Sequence, residues 1–215
     1  MIVASIDGAC RRNGKPDCTS AGGVFILHPT GETEVLSAYE YKSTNQRGEL
    51  LALLKALDYI VAAKHEAQVV TDSEYIFNAM TKQWYNSWMK KGWVTSSGGE
   101  VKNKDIWLEI YKVMSKATED IHFYHIKGHC ISVGKVTASK ALDIDPTGAH
   151  LRVIATHKFD TTLHTKQSVF EAAQELSEKN NGFKLPPEIF KLFVVINTVA
   201  DAIATKVVEA ADREM

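Results

Sequence analysis

The sequence predicts an α/β fold built on a five-stranded mixed sheet, an antiparallel three-strand meander extended by parallel strands, with helices on its faces. Three observations carry this expectation. Short apolar runs separated by glycine and proline turns fill the chain up to Tyr41, the hydrophobic period changes from two to about 3.6 near Arg47, and helix-like and strand-like stretches then alternate as far as Ile126. A meander followed by helix, strand, helix and strand implies a mixed sheet covered by helices.

Taking the elements in order, Ile2 to Asp7 is a short apolar run stopped by Gly8, which reads as a central strand. Ala9 to Ser20 is polar and turn-rich. Gly22 to Leu27 forms the second strand, and Glu34 to Tyr41, beyond the Pro29-Thr30-Gly31 turn, the third. Leu50, Leu53, Leu54, Leu57, Ile60 and Val61 recur at three- and four-residue spacing, the stripe of a helix lying on a sheet. Gln68 to Thr71 is a fourth strand, Ser73 to Met80 and Asn103 to Ser115 are helices, and Ile121 to Ile126 is the fifth strand. Later in the chain, Leu151 to Thr156 is β-like, Gln167 to Lys179 helical, and Asn180-Asn181-Gly182 a turn. Pro186-Pro187 opens a last helix whose stripe runs through Ile189, Leu192, Phe193, Ile196, Ala200, Ile203 and Val207 to about Ala211.

Composition narrows the function classes. With 215 residues, 45% hydrophobic and 24% charged, the chain has enough apolar surface to bury a core unaided, which excludes a collagen, a coiled-coil rod and a disordered tail. A net charge of -1 excludes a globally basic nucleic-acid glove, so any such binding comes from a local patch. Cys10, Cys18 and Cys130 are sparse and odd in number, which does not fit a disulfide framework and suits a reducing compartment; a cytoplasmic protein is expected. No signal sequence and no membrane span are expected either.

Three carboxylates stand at the ends of elements. Asp7 closes a central strand, where a buried charge must be hydrogen-bonded or bound to a cation. Glu49 sits at the edge of the leucine stripe and Asp72 ends a strand that feeds a helix. Ligands gather at the carboxyl ends of parallel strands, so Asp7 and Asp72 can converge there. Hard oxygen donors favour Mg²⁺ or Mn²⁺ over zinc, and a pair of such ions suits in-line displacement at phosphorus. Plainer roles compete: Asp72 as a helix N-cap and Glu49 as a partner of the helix dipole.

The surrounding motifs add a resemblance. IDGA at residues 6–9, TNQRGELLAL at 44–53, TDSEY at 71–75 and KGH at 127–129 occur in the order found in type 1 ribonuclease H, and the chain resembles that family. QWYNSWMKKGW at 83–93 and VKNKDIW at 101–107 resemble its basic protrusion and the helix after it, so the likeness spans residues 1–129 almost without gaps. It implies a ribonuclease H-like fold and endonucleolytic hydrolysis of the RNA strand of an RNA/DNA hybrid, leaving 5′-phosphate and 3′-hydroxyl ends. It also implies that Asp7, Glu49 and Asp72 hold two Mg²⁺ ions, which Mn²⁺ can replace. The family's fourth carboxylate lies in an Asn-x-x-x-Asp pattern on the last helix, which Asn197-Thr-Val-Ala-Asp201 fits. His129 takes the place of the mobile histidine that assists proton transfer or product departure. The family has only a short loop between those two residues, whereas 71 residues separate His129 from Asp201 here. Asp143 and Asp145 are nearer but lie in a turn-like LDIDPTG context, so the helical pattern favours Asp201. The implied division is a catalytic core at 1–129, an insertion at 130–185 and a closing helix at 186–215.

A hybrid is recognised by shape, phosphates and 2′-hydroxyls rather than by one base sequence. Thr44, Asn45, Gln46 and Asn103 match family contacts. Trp84, Trp88, Lys90, Lys91 and Trp93 belong to the one basic, aromatic-rich region, with a tryptophan-anchored helix as the plainer reading. Asn13, with Arg11 and Arg12, sits in a loop that approaches the RNA in the family. His150, His157 and His164 recur every seven residues without metal-pair spacing and read as surface histidines. A monomer acting on an RNA/DNA hybrid, away from membranes, is expected. A non-cleaving binding module and a DNA-directed nuclease of the wider superfamily are the competing readings.

Overall fold

The computed structural model describes residues 1–128 and 167–213. The elements run β1 (Ile2–Arg11), β2 (Thr19–Leu27), β3 (Thr33–Tyr41), α1 (Asn45–Ala63), β4 (Ala67–Thr71), α2 (Glu74–Thr81), α3 (Trp84–Lys90), α4 (Lys104–Met114), β5 (Ile121–His125), α5 (Gln167–Asn181) and α6 (Pro187–Arg213). The five strands form one mixed sheet in the order β3-β2-β1-β4-β5. β1 pairs antiparallel with β2 and β2 with β3, whereas β4 lies parallel to β1 and to β5. Mixed pairing and helix cover therefore agree with the sequence expectation.

Several boundaries differ for identifiable reasons. β1 does not stop at Asp7: Gly8 to Arg11 continue the ladder against Gly22 to Thr19, and the turn-rich segment contracts accordingly. The predicted turn at Asn180-Asn181-Gly182 is the end of α5, closed by Gly182 at φ 79°. Trp84–Lys90 forms α3, a helix too short to show a period in sequence. The β-like run at Leu151 to Thr156 lies outside the described residues.

Alternation along β1 divides the core into two layers. Ile2, Ala4 and Ile6 face α1, packing with Leu50, Leu53, Leu57 and Ile60 and with Trp107 of α4. On the other face Phe190, Phe193, Ile196, Val199 and Ile203 of α6 pack against Phe25, Val35 and Val70. Two consecutive glycines of β2 let both helices approach in backbone contact. A Cβ on Gly22 would stand 2.4 Å from the Ala52 nitrogen of α1, and one on Gly23 would stand 2.3 Å from the Ala200 carbonyl oxygen of α6.

β1 keeps β2 as a neighbour along its whole length but pairs with β4 only from Ile2 to Ser5. Past Ser5 the two parallel strands part, and a crevice opens at their carboxyl ends. Cys10 and Cys18 are disulfide-bonded across the mouth of the β1–β2 hairpin, with Cα atoms 6.6 Å apart. This corrects the reading drawn from cysteine number, since an odd count says nothing of two thiols brought face to face by a hairpin. Among the described residues, no helix is long and apolar enough to cross a membrane.

Candidate active site

Asp7, Glu49 and Asp72 meet in the crevice, where one carboxylate oxygen from each lies within 4.8 Å of those of the other two. β1 carries Asp7 beyond its last pair with β4, α1 brings Glu49 over the close contact at Gly8, and Asp72 directly follows β4. Ser73, not Asp72, caps α2, its hydroxyl accepting from the Ile76 N–H at 3.5 Å. The plainer reading of Asp72 as an N-cap is therefore corrected. Lys127-Gly128 passes against the same carboxylate so closely that a Cβ on Gly128 would lie 1.9 Å from Asp72 Oδ2. No other residue fits there without displacing Asp72.

The cluster is electrostatically strained. Asp7 is 2% exposed and Glu49 9% exposed. Burial, together with the charges of Asp72, Glu49 and Asp201, pushes the Asp7 carboxyl up to about 10. Burial and the charges of Asp72 and Asp201 push Glu49 up to about 8. Asp7 Oδ1 accepts from the Gly8 N–H at 2.7 Å, but Asp7 Oδ2 and Glu49 Oε2 are buried with no hydrogen-bond partner among the described residues. Buried acceptors left without donors cost free energy unless a cation satisfies them. Oxygen-only donors of this kind fit a hard divalent ion such as Mg²⁺.

Asp201 lies half-buried on α6, outside the tight group of three yet near enough for its charge to act on Asp7 and Glu49. Its register is set one turn earlier, where Asn197 Nδ2 donates to the Ile6 carbonyl at 3.3 Å. His129, Asp143 and Asp145 lie outside the described residues.

A groove of about 580 Å³ extends from Glu49. Asn13, Thr44, Asn45, Gln46 and Asn103 all line it. Thr44 caps α1 by accepting from the Arg47 N–H at 3.3 Å, and Asn103 Nδ2 donates to Gln46 Oε1 at 3.1 Å. Arg47 braces this wall from behind, pairing with Glu40 and Asp105, each at 2.6 Å. Lys102 adds a positive charge to the lining, and Ser73 and Tyr75 complete it. They went unnoticed in sequence although both stand in the TDSEY motif, because nothing there shows which way α2 turns.

The protrusion needs a correction. Trp93 is 7% exposed and Trp107 is fully buried. Trp88 packs between them, its ring 6.5 Å from Trp93 and 5.4 Å from Trp107, and Trp84 leans on Trp88 at 6.0 Å. These indoles prop α3 against α4, so Trp93 belongs to the core rather than to a contact surface. Lys90 and Lys91 remain exposed at the end of α3. Arg11 and Arg12 both pair with Asp212 at the end of α6, Arg12 Nη1 at 3.1 Å and Arg11 Nε at 3.4 Å.

The sequence and the fold have counterparts among known proteins. Residues 2–141 match the RNase H family model. The chain belongs to the ribonuclease H family, as a type 1 member. A ribonuclease H of Neorickettsia sennetsu is 38% identical over 127 residues, covering 59% of this chain and 80% of the relative. Ribonuclease HI of Rickettsia prowazekii is 34% identical over 139 residues, covering 65% and 86% respectively. Among solved structures, the foamy viral protease-reverse transcriptase in complex with RNA/DNA hybrid superposes with a TM-score of 0.52 at 20% identity, covering 58% of this chain and 17% of that one, a likeness of fold. As a ribonuclease H, the chain is a hydrolytic nuclease.

Proposed function

We propose that this ribonuclease H cleaves the RNA strand of RNA/DNA hybrids endonucleolytically, leaving 5′-phosphate and 3′-hydroxyl ends, with two divalent cations held by Asp7, Glu49, Asp72 and Asp201. The observation that carries the proposal is the meeting of three carboxylates within 4.8 Å beside a groove lined by amide side chains. Bound Mg²⁺, or Mn²⁺ in its place, would supply an activated water and offset charge developing on phosphate oxygens. Asp7 Oδ2 and Glu49 Oε2 present the unsatisfied oxygens to such ions. Asn13, Asn45, Gln46 and Asn103 offer donors and acceptors suited to 2′-hydroxyl and phosphate groups, and Lys90 and Lys91 add exposed positive charge. His129 would serve proton transfer or product departure.

The same reading keeps residues 1–129 as the catalytic core, 130–185 as an insertion and 186–215 as the closing helix. The packing of α6 on β1 and β2, with Asn197 bonded to Ile6, supports it. We read the active species as a monomer, because one chain carries all four carboxylates. A cytoplasmic location remains our reading, and in such a reducing compartment Cys10 and Cys18 would stand as thiols.

Labelled RNA/DNA hybrid, double-stranded RNA and double-stranded DNA, each incubated with Mg²⁺ and with EDTA, test the proposal. Cleavage confined to hybrid RNA in Mg²⁺ is expected. Equal cleavage of double-stranded DNA, tight hybrid binding without cleavage, or full activity in EDTA would overturn it.

Metal and pH are linked through the same carboxyls. In the metal-free fold, groups raised to about 10 and about 8 keep protons that the unfolded chain releases near its ordinary values. Their contribution to stability is complete below about pH 4 and is lost as pH rises through the folded values. In EDTA the Tm should therefore fall from about pH 5 to about pH 9, while the gain from Mg²⁺ grows over the same interval. A Tm in EDTA that does not change with pH would contradict the buried-carboxylate account.

A further inference from the structure

We infer that His125, clamped by Asn180 and Asn181 of α5, is a positioning residue for Asp72, so that a helix beyond the region matched by the family model completes the active site. The inference rests on the reading of Asp72 as a metal-holding carboxylate.

Among the described residues β5 is the edge strand, and its outer side at His125 is occupied by an asparagine side chain. Asn181 Oδ1 accepts from the His125 N–H at 2.8 Å, and Asn181 Nδ2 donates to the His125 carbonyl at 2.9 Å. One amide thus pairs with both main-chain groups of His125, as a neighbouring strand would. The imidazole is fixed as well. Asn180 Nδ2 donates to His125 Nδ1 at 3.1 Å and also reaches Glu74 Oε1 at 3.4 Å. With Nδ1 accepting, the neutral ring carries its hydrogen on Nε2. That nitrogen lies 3.2 Å from the Asp72 carbonyl oxygen and donates to it.

The position of this last bond matters most. The β4–β5 ladder ends with Thr71 opposite His125, and the Ile126 N–H donates to the Thr71 carbonyl at 3.0 Å. Asp72 is the first residue past the ladder, and the His125 side chain takes over where the sheet stops. A residue 1% exposed with Phe77 against its ring at 5.8 Å could have been apolar on packing grounds alone. Instead both ring nitrogens are engaged, one toward α5 and one toward Asp72. Outer partners of this kind hold a ligand's orientation, and losing one costs metal affinity or rate rather than substrate binding.

The test compares His125→Phe, His125→Gln and Asn180→Ala in the full chain, with Asp72→Asn as the reference for the site itself. Two readouts are taken: kcat and KM on an RNA/DNA hybrid, and the Tm gain produced by Mg²⁺ alone. His125→Phe should lower kcat by roughly 10- to 100-fold, leave KM within about twofold, and shrink the Mg²⁺ gain. His125→Gln, whose amide nitrogen can reach the Asp72 carbonyl, should recover most of both. Asn180→Ala, which removes only the donor to Nδ1, should shift both readouts in the same direction by a smaller factor. Should His125→Phe fail to fold, His125→Gln and Asn180→Ala carry the test through the same two readouts. Unchanged kcat and Mg²⁺ gain in the variants that fold, with Asp72→Asn inactive, would overturn this inference alone. Asp72→Asn cleaving as fast as the wild-type chain would overturn the reading of the site and the inference with it.

Discussion

Asp7→Asn, Glu49→Gln and Asp72→Asn are each expected to slow hybrid cleavage by about a thousandfold or more, the loss of several kcal/mol of transition-state stabilisation. Each substitution keeps the shape of the side chain and removes one charged oxygen. In the fold without metal, that removal should be tolerated or even stabilising, because burial and mutual repulsion already disfavour the ionised carboxylates. Two measurements separate chemistry from folding: single-turnover rates in Mg²⁺ and melting in EDTA. An Asp7→Asn protein that cleaves normally would remove Asp7 from the site. Asp201→Asn should also slow cleavage strongly and reduce the Mg²⁺-induced rise in Tm, while Asp143→Asn and Asp145→Asn do neither. Loss of cleavage at Asp145 with retention at Asp201 would overturn the division of the chain at 130–185.

The second large effect concerns stability. Gly22→Ala and Gly23→Ala each insert a carbon where backbone already stands, against α1 at 2.4 Å from Ala52 N and against α6 at 2.3 Å from Ala200 O. No rotamer change relieves a clash with main chain, so a helix must move. Overpacking of this kind costs about 3 kcal/mol, roughly 6 to 12 °C in Tm for a chain of this size. Activity in the folded fraction should fall as well, since α1 carries Glu49 and Asp201 follows Ala200 directly on α6. Gly99→Ala serves as the control, because its added carbon would meet only Thr95 Oγ1, at 3.7 Å. If Gly22→Ala melts with the wild-type chain, α1 does not rest on β2 as closely as described.

The contrast between Glu49 and Trp93 shows where sequence reasoning reaches and where it stops. Glu49 was identifiable because it sits in an ordered motif and at a fixed step from a leucine stripe, and both are local properties of the chain. Trp93 matched its motif equally well, yet its indole lies in the core with Trp88 and Trp107. A tryptophan beside lysines reads the same whether it faces solvent or props a helix. The same limit applies to Arg12, whose partner Asp212 is 200 residues away.

By itself, the sequence determined the mixed character of the sheet and the order of the described strands and helices apart from α3, since hydrophobic period is written along the chain, and the resemblance of its motifs pointed to Asp7, Glu49 and Asp72. Only the tertiary structure decided that β1 runs on past Asp7, that Cys10 faces Cys18, that Ser73 rather than Asp72 caps α2, and that Asn180 and Asn181 reach His125. Each of these depends on which segments the sheet brings side by side. Such contacts join residues far apart in the chain, and no local pattern encodes them.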